Sequence, residues 1–98
     1  MVKVVYTKES PEDFDRLFAF YAAEDSATGV EMVDRITEVI ERLADHPYLG
    51  RLAEEGTREL VISKGKTGFI ALYDYIEGED AIVILAIRHQ REEGYPER

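Results

Sequence analysis

Residues 81–87 read Ala-Ile-Val-Ile-Leu-Ala-Ile, an apolar run with no polar interruption. It is far shorter than the roughly 20 residues a membrane span requires, and it is rich in β-branched side chains. The run predicts a central strand whose two faces are both withdrawn from water. Such a strand needs neighbours on its edges and a covering layer, so the rest of the chain must supply strands and helices. At 98 residues the chain has room for one small domain, 1–98, with a single core.

Two hydrophobic periods divide that chain. Val2 to Thr7 is a short β-rich segment. Ser10-Pro11 then places a helix cap before a proline suited to the first helical position, with Asp13 in the first turn. Phe14, Leu17, Phe18 and Tyr21 follow at helical spacing. A second helix starts at Asp25 or Ser26, with Val30, Val33, Ile36, Ile40 and Leu43 as its stripe to about Asp45. Glu31–Arg35 and Glu38–Arg42 are favourable i,i+4 pairs along it. Pro47 ends it, because the residue before a proline is driven from the α region. His46 to Arg51 is a turn-rich connector, followed by a polar stretch to Gly56. From Thr57 the period is two. Arg58, Leu60 and Ile62 share one face of a strand. Lys64 to Gly68 predicts a hairpin loop, and Phe69 to Ile76 a longer strand with Phe69, Ala71, Tyr73 and Tyr75 on one face. The turn Glu77–Asp80 leads into the apolar run. The order is β-α-α-β-β-β, an α+β fold with a helical hairpin packed on an antiparallel sheet. The pattern leaves open where the first strand joins.

The chemistry the chain can perform is bounded by its charge. It carries 21 acidic and 12 basic side chains, a net −9, with 45% apolar and 34% charged residues, the balance of a folded globular chain. Residues 1–56 hold 13 acids and 6 bases, whereas residues 57–98 hold 8 and 6. Phosphate backbones meet a repulsive average field on such a protein. Cysteine is absent, which removes thiol nucleophiles and thiolate metal sites. His46 and His89 stand in no metal-ligand spacing, so no metal and no cofactor are expected. A short Val-rich N-terminal segment, with no apolar signal core behind a basic start, predicts no membrane partner and a cytoplasmic address.

A few residues are candidates for more than packing. His89 follows the apolar strand between Arg88 and Arg91, where it could act as a general acid or base, or simply cap a sheet edge. Arg58 could hold a phosphate or carboxylate bidentately, or pair with a helix acid. Gly65-Lys66-Thr67-Gly68 mimics the end of a phosphate loop, but the full pattern is missing and the loop joins two strands. Glu38, Glu41 and Asp45 form a solvated helix face. Tyr73 and Tyr75 could stack bases or receive a peptide on an open sheet face, or pack under the helices.

The combination of an S-P-E cap, a helix ending in ERLADHPYLGR, GTREL at Gly56–Leu60 and VILAIRHQ at Val83–Gln90 resembles the RelE/ParE superfamily of toxins from type II toxin–antitoxin modules. The resemblance spans about Val2 to Tyr95. It implies a helical hairpin against a curved antiparallel sheet, a part in plasmid stabilisation, and a cognate antitoxin whose C-terminal segment wraps the toxin. ParE-like members inhibit DNA gyrase; RelE-like members cut messenger RNA on the ribosome. For RNA cleavage, the resemblance implies Arg58 and Arg88 as phosphate contacts, His89 as acid/base and Tyr95 as the C-terminal tyrosine. RelE-like enzymes carry a lysine-rich stretch where this chain has Leu52-Ala53-Glu54-Glu55. An acidic protein is poorly matched to ribosomal RNA. The ParE-like reading is therefore preferred, with no catalytic residue and no direct DNA binding by the toxin alone. The alternatives are the ribonuclease and a degenerate member that binds antitoxin without toxicity.

Overall fold

The computed structural model describes residues 2–22, 25–62 and 68–96. The chain runs β1 (Lys3–Tyr6), α1 (Ser10–Ala22), α2 (Ser26–Glu41), β2 (Arg51–Leu52), β3 (Arg58–Ile62), β4 (Phe69–Ile76) and β5 (Ala81–His89). Short 3-10 turns follow α2, β2 and β4. The strands form a five-stranded sheet in the order β1-β5-β4-β3-β2. The expected helical hairpin on a sheet is present, with a two-residue strand added in the polar stretch after the connector. The sheet is antiparallel except at β1, which pairs parallel with β5 from Lys3↔Ala81 to Tyr6↔Ile84. Parallel neighbours need a crossover, and the helices and the other strands supply it. The predicted hairpin loop at Lys64–Gly68 lies outside the described residues except for Gly68.

Asp25 caps α2, its Oδ1 accepting from Ala27 N at 3.0 Å, so of the two expected starting residues Ser26 is the first in the helix. Gly29 lets the two helices approach closely: a β-carbon there would sit 2.7 Å from the Phe18 ring on α1. Ile36, Ile40 and Leu43 are fully buried, as their spacing predicts, but Val30 at the top of the same stripe is half exposed. Under the helices lie Leu60 and Ile62 of β3, Phe69, Ala71 and Tyr73 of β4, and Ile82, Ile84 and Ile87 of β5. Alternation alone cannot put both Ile84 and Ile87 on one face. The register shifts between Leu72 and Tyr73, where Leu72 pairs with Ala86 and Tyr73 with Ile84. Leu85 is the extra residue, and this β-bulge flips the parity of β5 beyond it.

β5 outlasts its partner β1, whose pairing stops at Ile84. Beyond that point α1 supplies the missing hydrogen-bond groups. Ile87 N donates to Asp13 Oδ2 at 3.0 Å, and Arg16 Nη2 donates to Ile87 O at 2.8 Å. Arg16 also binds Asp13 Oδ1 at 3.0 Å and Glu92 Oε2 at 2.9 Å. Asp13 is only 1% exposed. Replacing it, Asp13→Ala, leaves a buried N–H without its acceptor and Arg16 with one acid fewer. The expected loss is about 1.5–3 kcal/mol of stability, read as a lower urea midpoint with an unchanged slope.

Candidate functional site

The residues singled out from the sequence fall into three places. Arg58 shares the helix-side face with Leu60 and Ile62, as the alternation predicts. Its guanidinium turns back on the connector, with Nη1 donating to Gly50 O at 2.8 Å. It lies 4.9 Å from the centre of the Tyr48 ring, and Tyr48 in turn meets Tyr75 edge-on at 5.2 Å. Tyr73 sits at the centre of this connector. Its hydroxyl donates to Pro47 O and accepts from Gly50 N, both at 2.8 Å. Burial pushes the Tyr73 hydroxyl pKa up, while Gly50 N–H and Arg58 oppose the shift. A β-carbon at Gly50 would come within 2.6 Å of the Tyr73 ring, so glycine is required there. The HPYLGR segment is thus a clamped loop. Tyr73 packs under the helices, and Tyr75 is partly buried against the same core.

His89 is the last residue of β5 and is 5% exposed. It pairs with Phe69 in register and faces the helices. Its ring stacks among Phe20 (5.5 Å), Phe69 (5.4 Å) and Tyr21 (6.4 Å). Nδ1 accepts from Arg91 N at 3.0 Å, and Nε2 lies 3.2 Å from Tyr21 Oη. The backbone bond assigns the neutral ring's proton to Nε2, which donates to Tyr21. Burial, then the Arg91 charge, lower the histidine pKa, and Glu92 partly opposes them.

Arg88 points to the opposite face of the sheet. It lies 5.1 Å from the centre of the Tyr95 ring and donates to Glu92 O at 2.9 Å. Its Nε is buried with no hydrogen-bond partner among the described residues. The Tyr95 hydroxyl donates to Glu59 Oε2 at 2.7 Å. Burial and the Glu59 carboxylate hold its pKa well above the usual phenol value. The structure therefore unites Arg88 with Tyr95 and separates both from Arg58 and His89. Arg58 pairs with Tyr73, His89 pairs with Phe69, and β4 runs between them. That register sets their Cα atoms about 16 Å apart at ordinary strand spacings.

From the sequence, Tyr21 has only a place in the α1 stripe and Glu59 no role, so their contacts with His89 and Tyr95 were missed. The alternation that turns Arg58 to the helices turns Glu59 away from them, which is a usable signal; the path of the tail that brings Tyr95 to it has no period. Among the described residues, no three His, Cys, Asp or Glu side chains gather to hold a metal ion. None of the described helices is long and apolar enough to cross a membrane.

A helical hairpin on such a sheet is shared with solved toxin–antitoxin proteins. The chromosomal ParDE system of P. aeruginosa superposes with a TM-score of 0.75 at 24% identity, covering 91% of this chain and 96% of that one. The E. coli RelBE complex gives 0.64 at 7% identity, covering 94% and 100%. The Mycobacterium tuberculosis RelBE2 complex gives 0.59 at 20% identity, covering 91% and 98%. In sequence, toxin RelE3 of Caulobacter vibrioides is 40% identical over 60 residues, which are 61% of this chain and 63% of that relative. The chain thus spans somewhat less than two thirds of that relative's length. Residues 4–94 match the family described as ParE toxin of type II toxin-antitoxin system, parDE. The chain belongs to this family of ParE toxins, within the RelE/ParE superfamily.

The His89 environment has a consequence for stability. A histidine in an unfolded chain titrates near 6.5, and the folded pKa lies below that. As pH falls through about 6.5 the unfolded chain binds the proton first, so stability is full above that value and declines below it. Urea unfolding between about pH 7.5 and 5.5 is expected to show this decline, with a shallower slope in His89→Asn. Parallel slopes in the two proteins would show that His89 does not contribute.

Proposed function

We propose that this chain is the toxin of a type II toxin–antitoxin module, that it inhibits DNA gyrase through a protein–protein contact, and that a cognate antitoxin neutralises it by wrapping its C-terminal segment around it. The observation that carries the preference for gyrase is the separation of Arg58 from His89. Cleavage of RNA at a 2′-hydroxyl needs a base, a phosphate-binding cation and an acid around one phosphate. Here Arg58 is bound to the connector carbonyls and His89 is enclosed by aromatic rings. The exposed acids of the helices add to this reading, because they suit a protein target better than a phosphate-lined one. A cytoplasmic location follows from the proposed target, and no direct DNA contact is assigned to the toxin alone.

A second reading is kept for one observation. Arg88 and Tyr95 do meet, on the face away from the helices, beside Glu59. This cluster and the name of the Caulobacter relative favour a ribosome-dependent endoribonuclease. A member that binds antitoxin without toxicity is the third.

Added to a supercoiling assay in stoichiometric excess, the purified protein is expected to block gyrase; full supercoiling activity would remove the leading reading. Toe-printing of a translated message addresses the second. Cuts at the ribosomal A site, lost in His89→Ala and Arg88→Ala, would replace gyrase by the ribosome. Unimpaired growth on induction would point to the third. The antitoxin itself is expected to carry a tail richer in basic residues than usual, since the surface it covers is acidic. Sequencing the adjoining short reading frame checks this, and a strongly acidic tail would contradict it.

A further inference from the structure

The face of the sheet turned away from the helices holds a cleft of ≈ 590 Å³. Its floor is Leu72 and Leu85, and its wall includes the Tyr95 ring. Leu85 is there because it is the bulged residue of β5, whose extra position presents an apolar side chain on this face. Glu54, Glu55 and Glu59 also line the cleft. Glu59 is already engaged, by Arg51 at 3.2 Å and by the Tyr95 hydroxyl. The carboxylates of Glu54 and Glu55 are exposed and make no ion pair among the described residues. An apolar floor beside two exposed carboxylates that make no ion pair among the described residues, with an aromatic plane along one side, is complementary to a long aliphatic stem ending in a flat cation.

We propose that this cleft receives an arginine side chain from the antitoxin, its stem on Leu72 and Leu85, its guanidinium between Tyr95 and the carboxylates of Glu54 and Glu55. The source of the arginine rests on the toxin reading above; the chemistry of the cleft does not. A phosphate-bearing ligand is repelled by these acids, and a strongly hydrated metal ion gains nothing from a leucine floor. A lysine gains the charge but not the planar stacking on tyrosine. An extended segment crossing the sheet presents every second side chain to it, so one arginine can enter while its neighbours point to solvent.

The probe is butylguanidinium, with butylurea as its uncharged counterpart of similar shape, titrated into the purified chain with methyl-labelled leucines. Butylguanidinium is expected to shift the Leu72 and Leu85 methyl resonances saturably, and butylurea to bind at least about fivefold more weakly. Glu54→Gln with Glu55→Gln, two exposed changes that leave the core untouched, is expected to reduce the butylguanidinium affinity by a similar factor. No saturable shift, or equal binding of the two probes, would overturn the proposal. The second arm uses the complex with the cognate antitoxin, where the same double substitution is expected to weaken binding about tenfold. An antitoxin that binds the double variant as tightly as the wild type would overturn the proposal and leave the toxin reading intact. If no antitoxin binds but butylguanidinium still occupies the cleft, the toxin reading falls and the assignment of the cleft as a cation site is supported.

Discussion

The unequal lengths of β1 and β5 set the problem that the rest of the structure answers. β5 continues to His89, whereas its parallel neighbour stops opposite Ile84. An internal strand that loses its neighbour exposes backbone donors and acceptors, and these must be satisfied wherever they are buried. Three charged side chains stand in for the missing strand. Asp13 accepts from Ile87 N, Arg16 donates to Ile87 O, and Glu92 Oε1 accepts from His89 N at 2.8 Å. Arg16 bridges the two acids, so the three form one connected array, held by α1 on one side and by the tail on the other. Each charge in it is offset by an opposite charge and a backbone bond, the condition under which buried ions are tolerated. Helix, sheet and tail are thereby fixed by one set of contacts.

A second hub organises the opposite end of the sheet. Tyr73 is fully buried, yet its hydroxyl reaches the connector and binds both Pro47 and Gly50. A tyrosine serves here because it fills the core with its ring and satisfies two otherwise isolated backbone groups with its tip. Arg58 adds the Gly50 carbonyl to the same clamp. The result is a rigid loop that presents Tyr48 and Leu49 half exposed, and beyond it Leu52 at 70% exposure on the sheet edge. Large apolar side chains on a clamped loop lose little entropy when covered by a partner.

Much of the fold was legible from the two hydrophobic periods. Apart from half-exposed Val30, the stripe of α2 and the alternation of β3 and β4 appear in the structure with the faces those periods assign. The apolar run marked β5 as internal, but it could not reveal the bulge, because every residue in the run is apolar and parity leaves no trace. That hidden parity decides where His89 points. The strand continues two residues beyond the run, and the bulge turns the histidine under the helices. Arg58 was placed on the correct face, yet its partner was not readable, since Gly50 belongs to a connector without periodicity. Tyr95 and Arg88 were recognised through family resemblance alone. The contacts of Tyr95 with Arg88 and Glu59 depend on a tail that folds back over the sheet, held through Glu92.

The same contacts reinterpret the charge. Arg16 lies between Asp13 and Glu92, Arg51 binds Glu59, Arg58 holds the connector, and Arg88 covers Tyr95. These cations act within the molecule, so they are poorly placed to meet a phosphate without breaking a structural contact. The acids are arranged in the opposite way. Glu12, Asp15, Glu31, Asp34, Glu38 and Glu41 all face solvent on the helices, and Glu54, Glu55, Glu77, Glu79 and Asp80 do so around the sheet. Lys3, Lys8, Arg35, Arg42 and Arg91 are exposed among them, so among the described residues the exposed acids outnumber the exposed bases without forming an unbroken acidic surface. On a surface with this excess of acid, a partner gains most where it places its own cations against the exposed carboxylates.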